Sequence, residues 1–332
     1  MRVSERLKQW DAMRKYIFLL LFVSIAVCPA MADYKQAVAY YTQGDFNKAI
    51  QELKEDIVDS PDWEFGHRLV GLCYLNIGNY ALAVSSLQRA VELKSTAFAT
   101  YYGLGQAYFN MKRYNDAIAA LDRSEPFAAR EEKPDVEKAK INTLRGTIYY
   151  ITDRFSEAVT ELQGAIRVDS SDWELFFMTG ASYFNTNRDD DAIKALEKAA
   201  ELKPDEKSVS DILGKAYFRK GVQALSSGRY NEAIRDLGRA RTIDPDSGYI
   251  NYNLGEAYVF EKRYAEAERE LVVANAKIPD NAGILTRLGF AYERQDKNDL
   301  ALKTYRRAYD LSPSPELKEA IDRVVGNAKI RK

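Results

Sequence analysis

The sequence has 332 residues and nearly balanced charge, with 48 basic and 49 acidic side chains and one histidine. This balance argues against a protein that needs a basic face to bind nucleic acid. One histidine and two cysteines also leave little material for a metal site or an activated nucleophile.

The segment 1–32 has the pattern of a secretory signal peptide. A basic region precedes an apolar run over residues 16–27, in which Ser24 is the one polar residue, and Ala30-Met31-Ala32 has the small-x-small form of a cleavage site. The run is well short of the roughly 20 residues that a membrane-spanning helix needs. We therefore expect cleavage after Ala32 and an exported, periplasmic protein; an uncleaved N-terminus that anchors the chain in the inner membrane is the alternative.

Cleavage also changes the charge. Residues 1–32 hold five basic and two acidic side chains, so their removal shifts the formal net charge from −1 to −4. One cysteine, Cys73, then remains, and no disulfide can form within the chain.

From residue 33 onward a repeating pattern runs along the chain, with a period of about 34 residues. Each frame begins with a small residue, has a tyrosine three residues later in all frames but one, and has an alanine twelve residues after the small residue. The small positions are Ala37, Gly71, Gly105, Gly146, Gly180, Gly221, Gly255 and Gly289. Apolar residues recur three and four apart on both sides of a short turn, which predicts two amphipathic helices in each frame. Neither helix can bury its apolar face without neighbouring frames.

This order of small residue, Tyr, turn, aromatic, Ala, Leu, Ala and Pro resembles the tetratricopeptide repeat family. The resemblance covers nearly all of the chain after residue 32. Together with the signal-peptide pattern, it indicates an exported bacterial member of that family. It implies an all-α, right-handed α-solenoid of about eight helix hairpins over residues 33–314, closed by a capping helix and tail over 315–332.

Two insertions of seven residues interrupt the period. The separation of Gly105 from Gly146, and that of Gly180 from Gly221, each exceed the ordinary repeat by seven positions. Seven residues are close to two helical turns, so a helix lengthened by seven keeps its apolar face in the same direction. We expect a loop that runs into a long helix near residues 126–140 and a lengthened first helix near 208–220. These features are either tolerated insertions or docking features for a partner.

The sequence offers no convergent catalytic group. His67 and Cys73 are six residues apart on one predicted helix, which suits neither a zinc site nor a base and nucleophile pair. We expect His67 to be a packing residue. At the start of the fifth repeat, Ser171 and Glu174 have the spacing of a capping box. We predict no enzyme activity, no catalytic residues, no metal site and no cofactor.

The family resemblance implies that the first helices line a concave groove that holds an extended peptide or a partner's helix. The inward positions are mainly aromatic, with asparagines in three repeats, whereas the family's carboxylate-clamp version has a Lys and Asn pair. Recognition of an acidic peptide C-terminus is therefore not expected. The candidate partner-binding residues are Tyr41, Phe65, Asn76, Tyr102, Phe109, Asn110, Tyr150, Phe177, Phe184, Asn185 and Tyr252. Tyr34, Phe218 and Phe260 also occupy inward positions.

These residues predict a protein–protein interaction scaffold or adaptor in the cell envelope. Burial of an apolar partner segment, with asparagine side chains bonded to its backbone, is the preferred mechanism. The alternative is a periplasmic module that stacks the rings of a glycan for polysaccharide binding or export. A third interpretation is that many of these aromatic residues only pack between repeats. We expect a protein partner in the envelope, no nucleic acid, and membrane association only through partners.

Overall fold

The structure is a computed structural model that describes the backbone of residues 34–330 and the side chains of residues 34–326. The predicted signal peptide and the last two residues of the tail lie outside the described residues. The chain divides into two compact units, one ending at Asp153 and the other beginning at Arg154.

Every regular element in the described residues is an α-helix, as the sequence predicts. The helices of unit 1 are α1 (Tyr34–Gln43), α2 (Phe46–Asp59), α3 (Glu64–Asn76), α4 (Tyr80–Glu92), α5 (Phe98–Asn110), α6 (Tyr114–Ala128) and α7 (Pro134–Ile151). Those of unit 2 are α8 (Phe155–Ile166), α9 (Trp173–Asn185), α10 (Asp189–Leu202), α11 (Lys207–Ser226), α12 (Tyr230–Ile243), α13 (Gly248–Phe260), α14 (Tyr264–Lys277), α15 (Ala282–Glu293), α16 (Asn298–Leu311) and α17 (Pro315–Ile330). Within each unit, helices pack against their nearest neighbours along the chain, which is the arrangement of an α-solenoid.

The turn inside each hairpin has the same backbone geometry. In the first hairpin, Gly44 has φ 84°, its N–H donates to the Tyr41 carbonyl at 3.0 Å, and the Asp45 N–H donates to the Tyr40 carbonyl at 2.8 Å. These two bonds form a Schellman motif, which ends the first helix at a left-handed residue. The same left-handed position is occupied by Gly44, Gly78, Lys112, Asp153, Asn187, Gly228, Lys262 and Asp296.

Close contact between the two helices of a hairpin explains the small residues. A Cβ atom built on Gly255 would lie 2.5 Å from Cγ of Leu271, on the second helix of the same hairpin. The leucine side chain fills the space that a methyl group would need. Gly71, Gly105, Gly180 and Gly221 meet a leucine in the same way, and Gly289 meets Tyr305.

Tyrosines join successive hairpins. Gln88 donates to the Tyr108 hydroxyl and Gln163 to the Tyr183 hydroxyl, each at 2.8 Å and across 20 residues. The Tyr217 hydroxyl donates to Glu197 across the same separation. These tyrosines are 7–8% exposed, so they pack between hairpins with their hydroxyls bonded.

The two insertions lengthen helices. α7 has 18 residues and α11 has 20, whereas α3, α5, α9 and α13 have 13. The loop expected from residue 126 is shorter, because α6 continues through Pro126 to Ala128. The last turn of α6 is held in place by Phe127, which stacks on Tyr101 with ring centroids 4.8 Å apart.

One local detail differs from the sequence analysis, and a second adds to it. The cap of α9 is Asp172, whose carboxylate accepts the Glu174 N–H at 2.9 Å, while the Ser171 hydroxyl donates to Asp169 at 2.7 Å. The aspartate therefore replaces the predicted serine as the helix cap. His67 is half-buried, and its Nε2 hydrogen-bonds to the Pro61 carbonyl at 3.0 Å, which ties α3 to the preceding turn.

The C-terminal helix covers the last hairpin. Leu317, Ala320 and Val324 of α17 are buried against a cluster that includes Leu285 and Tyr305. In the described part of the chain, no helix combines the length and the apolar character needed to cross a membrane.

Candidate functional site: the first-helix face

The candidate residues lie on the first helices of the hairpins. We call the surface formed by half-buried and exposed side chains of these helices the first-helix face of each unit. Unit 1 contributes Tyr41, Phe65, Asn76, Tyr102, Phe109, Asn110 and Tyr150 to it. Unit 2 contributes Phe177, Phe184, Asn185 and Tyr252. All eleven are half-buried or exposed.

An aromatic cluster marks the N-terminal end of the face in unit 1. Phe65 contacts Tyr34 edge-to-face at 5.8 Å between ring centroids and lies 5.8 Å from the Trp63 ring. The Arg68 guanidinium lies 4.9 Å from the Phe65 ring and pairs with Glu64 at 3.1 Å. The cation of this cluster is thus already neutralised by its own helix.

Tyr41 and Asn76 meet between the first two hairpins. The Tyr41 ring contacts Phe46 edge-to-face at 5.6 Å. Burial, with a smaller effect of Cys73, raises the pKa of Tyr41 to about 12, while Asn76 lowers it slightly. At neutral pH this hydroxyl is a neutral hydrogen-bonding group.

The three asparagines share one conformation. The Nδ2 group of each donates at 2.8 Å to the carbonyl four residues earlier in its own helix, in Asn76, Asn110 and Asn185. One N–H of each amide is therefore used inside the helix. The amide oxygen remains the main group that a partner's N–H could reach.

The remaining candidates in unit 1 pack against nearby rings and charges. Tyr102 stacks on Phe98 with centroids 5.2 Å apart, and burial raises the pKa of its hydroxyl. Phe109 lies 6.2 Å from the Tyr114 ring. Burial, followed by the charge of Asp153, raises the pKa of Tyr150.

In unit 2 the ring of Phe184 is covered. The guanidinium of Arg219, on α11, lies 3.9 Å from the Phe184 centroid and donates to the Phe184 carbonyl at 2.7 Å. Arg219 Nε also donates to both carboxylate oxygens of Asp189 at 2.9 Å. Phe184 is therefore held in an intrachain cation–π contact, while Phe177 lies 6.2 Å from the Trp173 ring.

The α13 helix carries the most exposed aromatic stripe. Tyr249, Tyr252, Glu256 and Phe260 follow one another at intervals of three or four residues, which places them on one side of the helix. Tyr249 is 61% exposed and Phe260 is 43% exposed. Tyr249 is not among the residues predicted from the sequence, although it occupies the same place in its repeat as Phe65.

Arg287, on α15, contacts two members of this stripe. Its Nη2 donates to Glu256 at 2.5 Å, and its guanidinium lies 5.5 Å from the Phe260 centroid. Burial and the neighbouring Glu256 raise the pKa of Tyr252. Phe260 also stacks on Tyr230 with centroids 4.8 Å apart.

Beyond Arg287 the face continues into an open cleft of about 490 Å³ between α15 and α17. Its lining includes Thr286, Phe290 and Arg323. Arg323 Nε pairs with Glu293 at 2.6 Å.

The side chains considered above as catalytic groups or metal ligands are not arranged for either role. Cys73 has no exposed surface, and burial raises the pKa of its thiol to about 12, so it is not an activated nucleophile. Among the described residues, no three or more His, Cys, Asp or Glu side chains come together as a metal site.

Comparisons with known proteins give the family. Tetratricopeptide repeat profiles match residues 31–55, 143–207, 224–283 and 282–315, which together cover more than half of the chain. A profile for subunit 3 of the anaphase-promoting complex, or cyclosome, matches residues 67–124.

Curated relatives are similar at low identity. DnaJ homolog subfamily C member 7 of Homo sapiens is 23% identical over an alignment of 196 positions, which covers 55% of this chain and 38% of that protein. The peroxisomal targeting signal receptor of Kluyveromyces lactis is 27% identical over 135 residues, or 41% of this chain and 23% of the receptor. The matched region thus spans well under half of either relative.

Solved structures superpose on parts of the chain. The first tetratricopeptide repeat domain of Spaghetti (RPAP3), bound to the HSP90 peptide SRMEEVD, covers 35% of this chain and 93% of its own with 25% identity and a TM-score of 0.34. MamA of Desulfovibrio magneticus RS-1 covers 54% of this chain and 97% of its own with 21% identity and a TM-score of 0.37. From the hairpin repeats and the matching profiles, we conclude that the chain belongs to the tetratricopeptide repeat family.

Proposed function

We propose that the protein is a non-enzymatic scaffold that binds an apolar segment of a partner protein on the first-helix face of unit 2. The observation that carries this proposal is the stripe on α13, where Tyr249 is 61% and Phe260 43% exposed beside half-buried Tyr252. Exposed aromatic side chains that share one face are typical of protein-binding surfaces.

Neighbouring first helices extend this surface. α9 contacts α11, and α11 contacts α13. Phe177, Phe218 and Tyr252 occupy the same place in three successive repeats, and all three are half-buried. A helix or extended segment laid across these helices would meet one aromatic side chain per repeat.

The charges of the face favour an uncharged segment. Arg219 is paired with Asp189, and Arg287 with Glu256. A partner carboxylate would have to displace these groups, so burial of apolar surface is the expected source of affinity. Binding should therefore change little with salt concentration.

Binding also fits the chain better than catalysis. Cys73 is buried and its thiol is neutral at physiological pH, while His67 is bonded to a backbone carbonyl. The similarity to a receptor for a peroxisomal targeting signal agrees with a role in recognising proteins.

The test compares two variants of the same hairpin. Tyr249→Ala/Tyr252→Ala removes exposed aromatic surface from α13, whereas Val272→Ala/Val273→Ala removes exposed apolar surface from the second helix, α14. Tagged chains are cross-linked and captured from the native cells, and retained proteins are identified. We expect the tyrosine variant to lose a partner that the valine variant and the unmodified chain retain.

Equal capture by both variants would refute this site, and retention of glycan without protein would support the polysaccharide alternative. Circular dichroism of the purified variants establishes that both are folded. Repeating the capture at high salt tests whether the partner segment is uncharged.

We further propose that the partner lies in the cell envelope, because residues 1–32 have the pattern of a secretory signal peptide. The test is fractionation of the native cells followed by N-terminal sequencing. A periplasmic chain that begins at Asp33 is expected. A membrane-bound chain that retains residues 1–32 would support the uncleaved anchor.

A further inference from the structure

The first residue of the second helix is aromatic in most hairpins. In the described chain these residues are Phe46, Tyr80, Tyr114, Phe155, Tyr230 and Tyr264. Two helices are exceptions, and one of them is α10, which begins with Asp189. In unit 1 the Tyr114 ring contacts Phe109, five residues earlier, with centroids 6.2 Å apart. Phe184 holds the same place before Asp189, so α10 offers it a carboxylate instead of a ring.

Arg219, on α11, fills the place of that ring. Its guanidinium lies 3.9 Å from the Phe184 ring centroid and donates to the Phe184 carbonyl at 2.7 Å. Its Nε donates to both carboxylate oxygens of Asp189 at 2.9 Å. A guanidinium is planar and stacks on aromatic rings, so it can cover Phe184 and bind the carboxylate at the same time.

The next two hairpins are joined at the same spacing by different chemistry. Tyr230, the first residue of α12, stacks on Phe260 of α13 with centroids 4.8 Å apart. Phe260 follows Tyr230 by 30 residues, and Arg219 follows Asp189 by 30 residues. An ion pair therefore joins α10 to α11 where an aromatic stack joins α12 to α13.

Lys220 adds a second ion pair to the same joint. Its Nζ lies 2.6 Å from the carboxylate of Asp190 and 3.8 Å from that of Asp236, which is buried on α12. Consecutive residues of α11 thus hold the first two residues of α10 by charge. We call Asp189, Asp190, Arg219 and Lys220 the ionic latch.

We propose that the ionic latch closes the joint between the α9–α10 and α11–α12 hairpins and keeps Phe184 out of the first-helix face of unit 2 until it opens. With the latch closed, a partner segment meets Phe177, Phe218 and Tyr252 but not the side of Phe184 that the guanidinium covers. Opening changes one aromatic contact among several, so capture by the other residues persists. The role in partner binding rests on the proposed function, but the latch itself is a property of the chain alone.

Salt is the condition that opens the latch. The distance over which charges interact falls from about 10 Å at 0.1 M salt to about 3 Å at 1 M. The side chains of Arg219, Lys220 and Asp190 are 35%, 28% and 74% exposed, so ions from the solvent reach the latch. The stacked rings at the next joint carry no charge that salt could screen. The joint between α10 and α11 is therefore the more salt-sensitive of the two.

Hydroxyl-radical footprinting of the purified chain, read by mass spectrometry, tests the latch without any partner. The readout is the reaction rate of Phe184 divided by that of Phe109 in the same sample, which cancels any effect of salt on the radical yield. Phe109 is the reference because it holds the same place, is also half-buried and faces a ring. In the unmodified chain we expect this ratio to rise several-fold between about 0.1 and 1 M NaCl.

Two variants test whether the charge of Asp189 holds the latch closed. Asp189→Asn keeps the size of the side chain but removes its charge, so it should raise the ratio several-fold at low salt and reduce the response to salt. Asp191→Asn makes the same change two residues later, where the carboxylate pairs with Arg188, and should behave like the unmodified chain.

The proposal is overturned if the ratio in the unmodified chain does not change with salt, or if Asp189→Asn behaves like Asp191→Asn. Either result would leave the scaffold proposal intact, because that proposal is tested by the capture of a partner.

Discussion

Single side chains in this protein are constrained by the residue that faces them across a hairpin. Leu271 occupies the space beside Gly255, and Leu237 occupies the space beside Gly221. Gly238 shows the contrast, because a Cβ atom built there meets nothing within 4 Å. The same residue type therefore has opposite roles at two helical positions.

This contrast gives a paired prediction. Gly255→Ala should lower the free energy of unfolding by about 1–3 kcal/mol, because the added methyl group overpacks Leu271. Gly238→Ala should raise it by about 0.5–1 kcal/mol, since alanine is the better helix former and the site is open. Urea unfolding followed by circular dichroism measures both; a destabilised Gly238→Ala would show that helix propensity does not decide at that site.

Cys73 should report on the opening of the second hairpin. Its thiol is buried and its pKa is raised to about 12, so alkylation at pH 8 should be slow in the folded chain. In urea the same thiol should react at the rate of an ordinary cysteine. The measurement is mass spectrometry after timed iodoacetamide treatment of the chain without residues 1–32, and fast alkylation in the absence of urea would contradict the packing described here.

Tyr41 should make the protein sensitive to alkali. Its pKa is about 12 in the folded chain and 10.0 without the fold, so the folded state holds the proton more tightly. The stability that it contributes is complete below pH 10 and is lost as the pH rises toward 12. Urea unfolding at pH 8, 10 and 11 should show this loss and a smaller one in Tyr41→Phe; equal losses would assign the effect to other groups.

At the scale of the element, the sequence predicted helices well because their contacts repeat. Gly71 and Tyr108 hold places that recur in successive repeats, and their close packing and bonding require the same residue types each time. The Arg219–Asp189 contact was not predictable in this way. It joins residues 30 apart, and Asp189 stands where the other repeats have Tyr, Phe or Asn, so the residue types of this contact follow no repeated pattern. It also covers the predicted binding residue Phe184.

Removal of the capping helix α17 should loosen the last hairpin. A chain that ends at Ser314 exposes Leu285 and Tyr305, which α17 otherwise covers. We expect faster amide hydrogen exchange in α15 and α16 and unchanged exchange in unit 1, because each hairpin depends on its neighbours. A chain that ends at Gly326 keeps Leu317 and Val324 and should exchange like the full chain. Equal exchange in both truncated chains would mean that α17 is dispensable.

The regularly spaced turns make the chain modular, with one hairpin as the unit. One residue with a left-handed backbone conformation recurs in each repeat, for example Asn187, Lys262 and Asp296. The spacing between these residues is regular except across the lengthened α11. Removal of residues 248–281 deletes one complete hairpin and keeps every later turn in register. Removal of only 248–263 deletes one helix and leaves α14 without its partner.

We therefore expect the whole-hairpin deletion to fold and the single-helix deletion to lose part of its structure. Helical content per residue by circular dichroism should match that of the full chain in the first variant and fall in the second. Loss of helix in both variants would show that α13 and α14 stabilise more than the hairpins beside them.

Contacts confined to neighbouring hairpins also determine how the chain would respond to force. Pulled from its ends, such an array has no single core that must break at once, so hairpins should unravel one after another. Each one would release about 110–120 Å of extended chain. In a cell, a protein built in this way can yield under load and shorten again when the load falls, and it keeps its ends connected throughout.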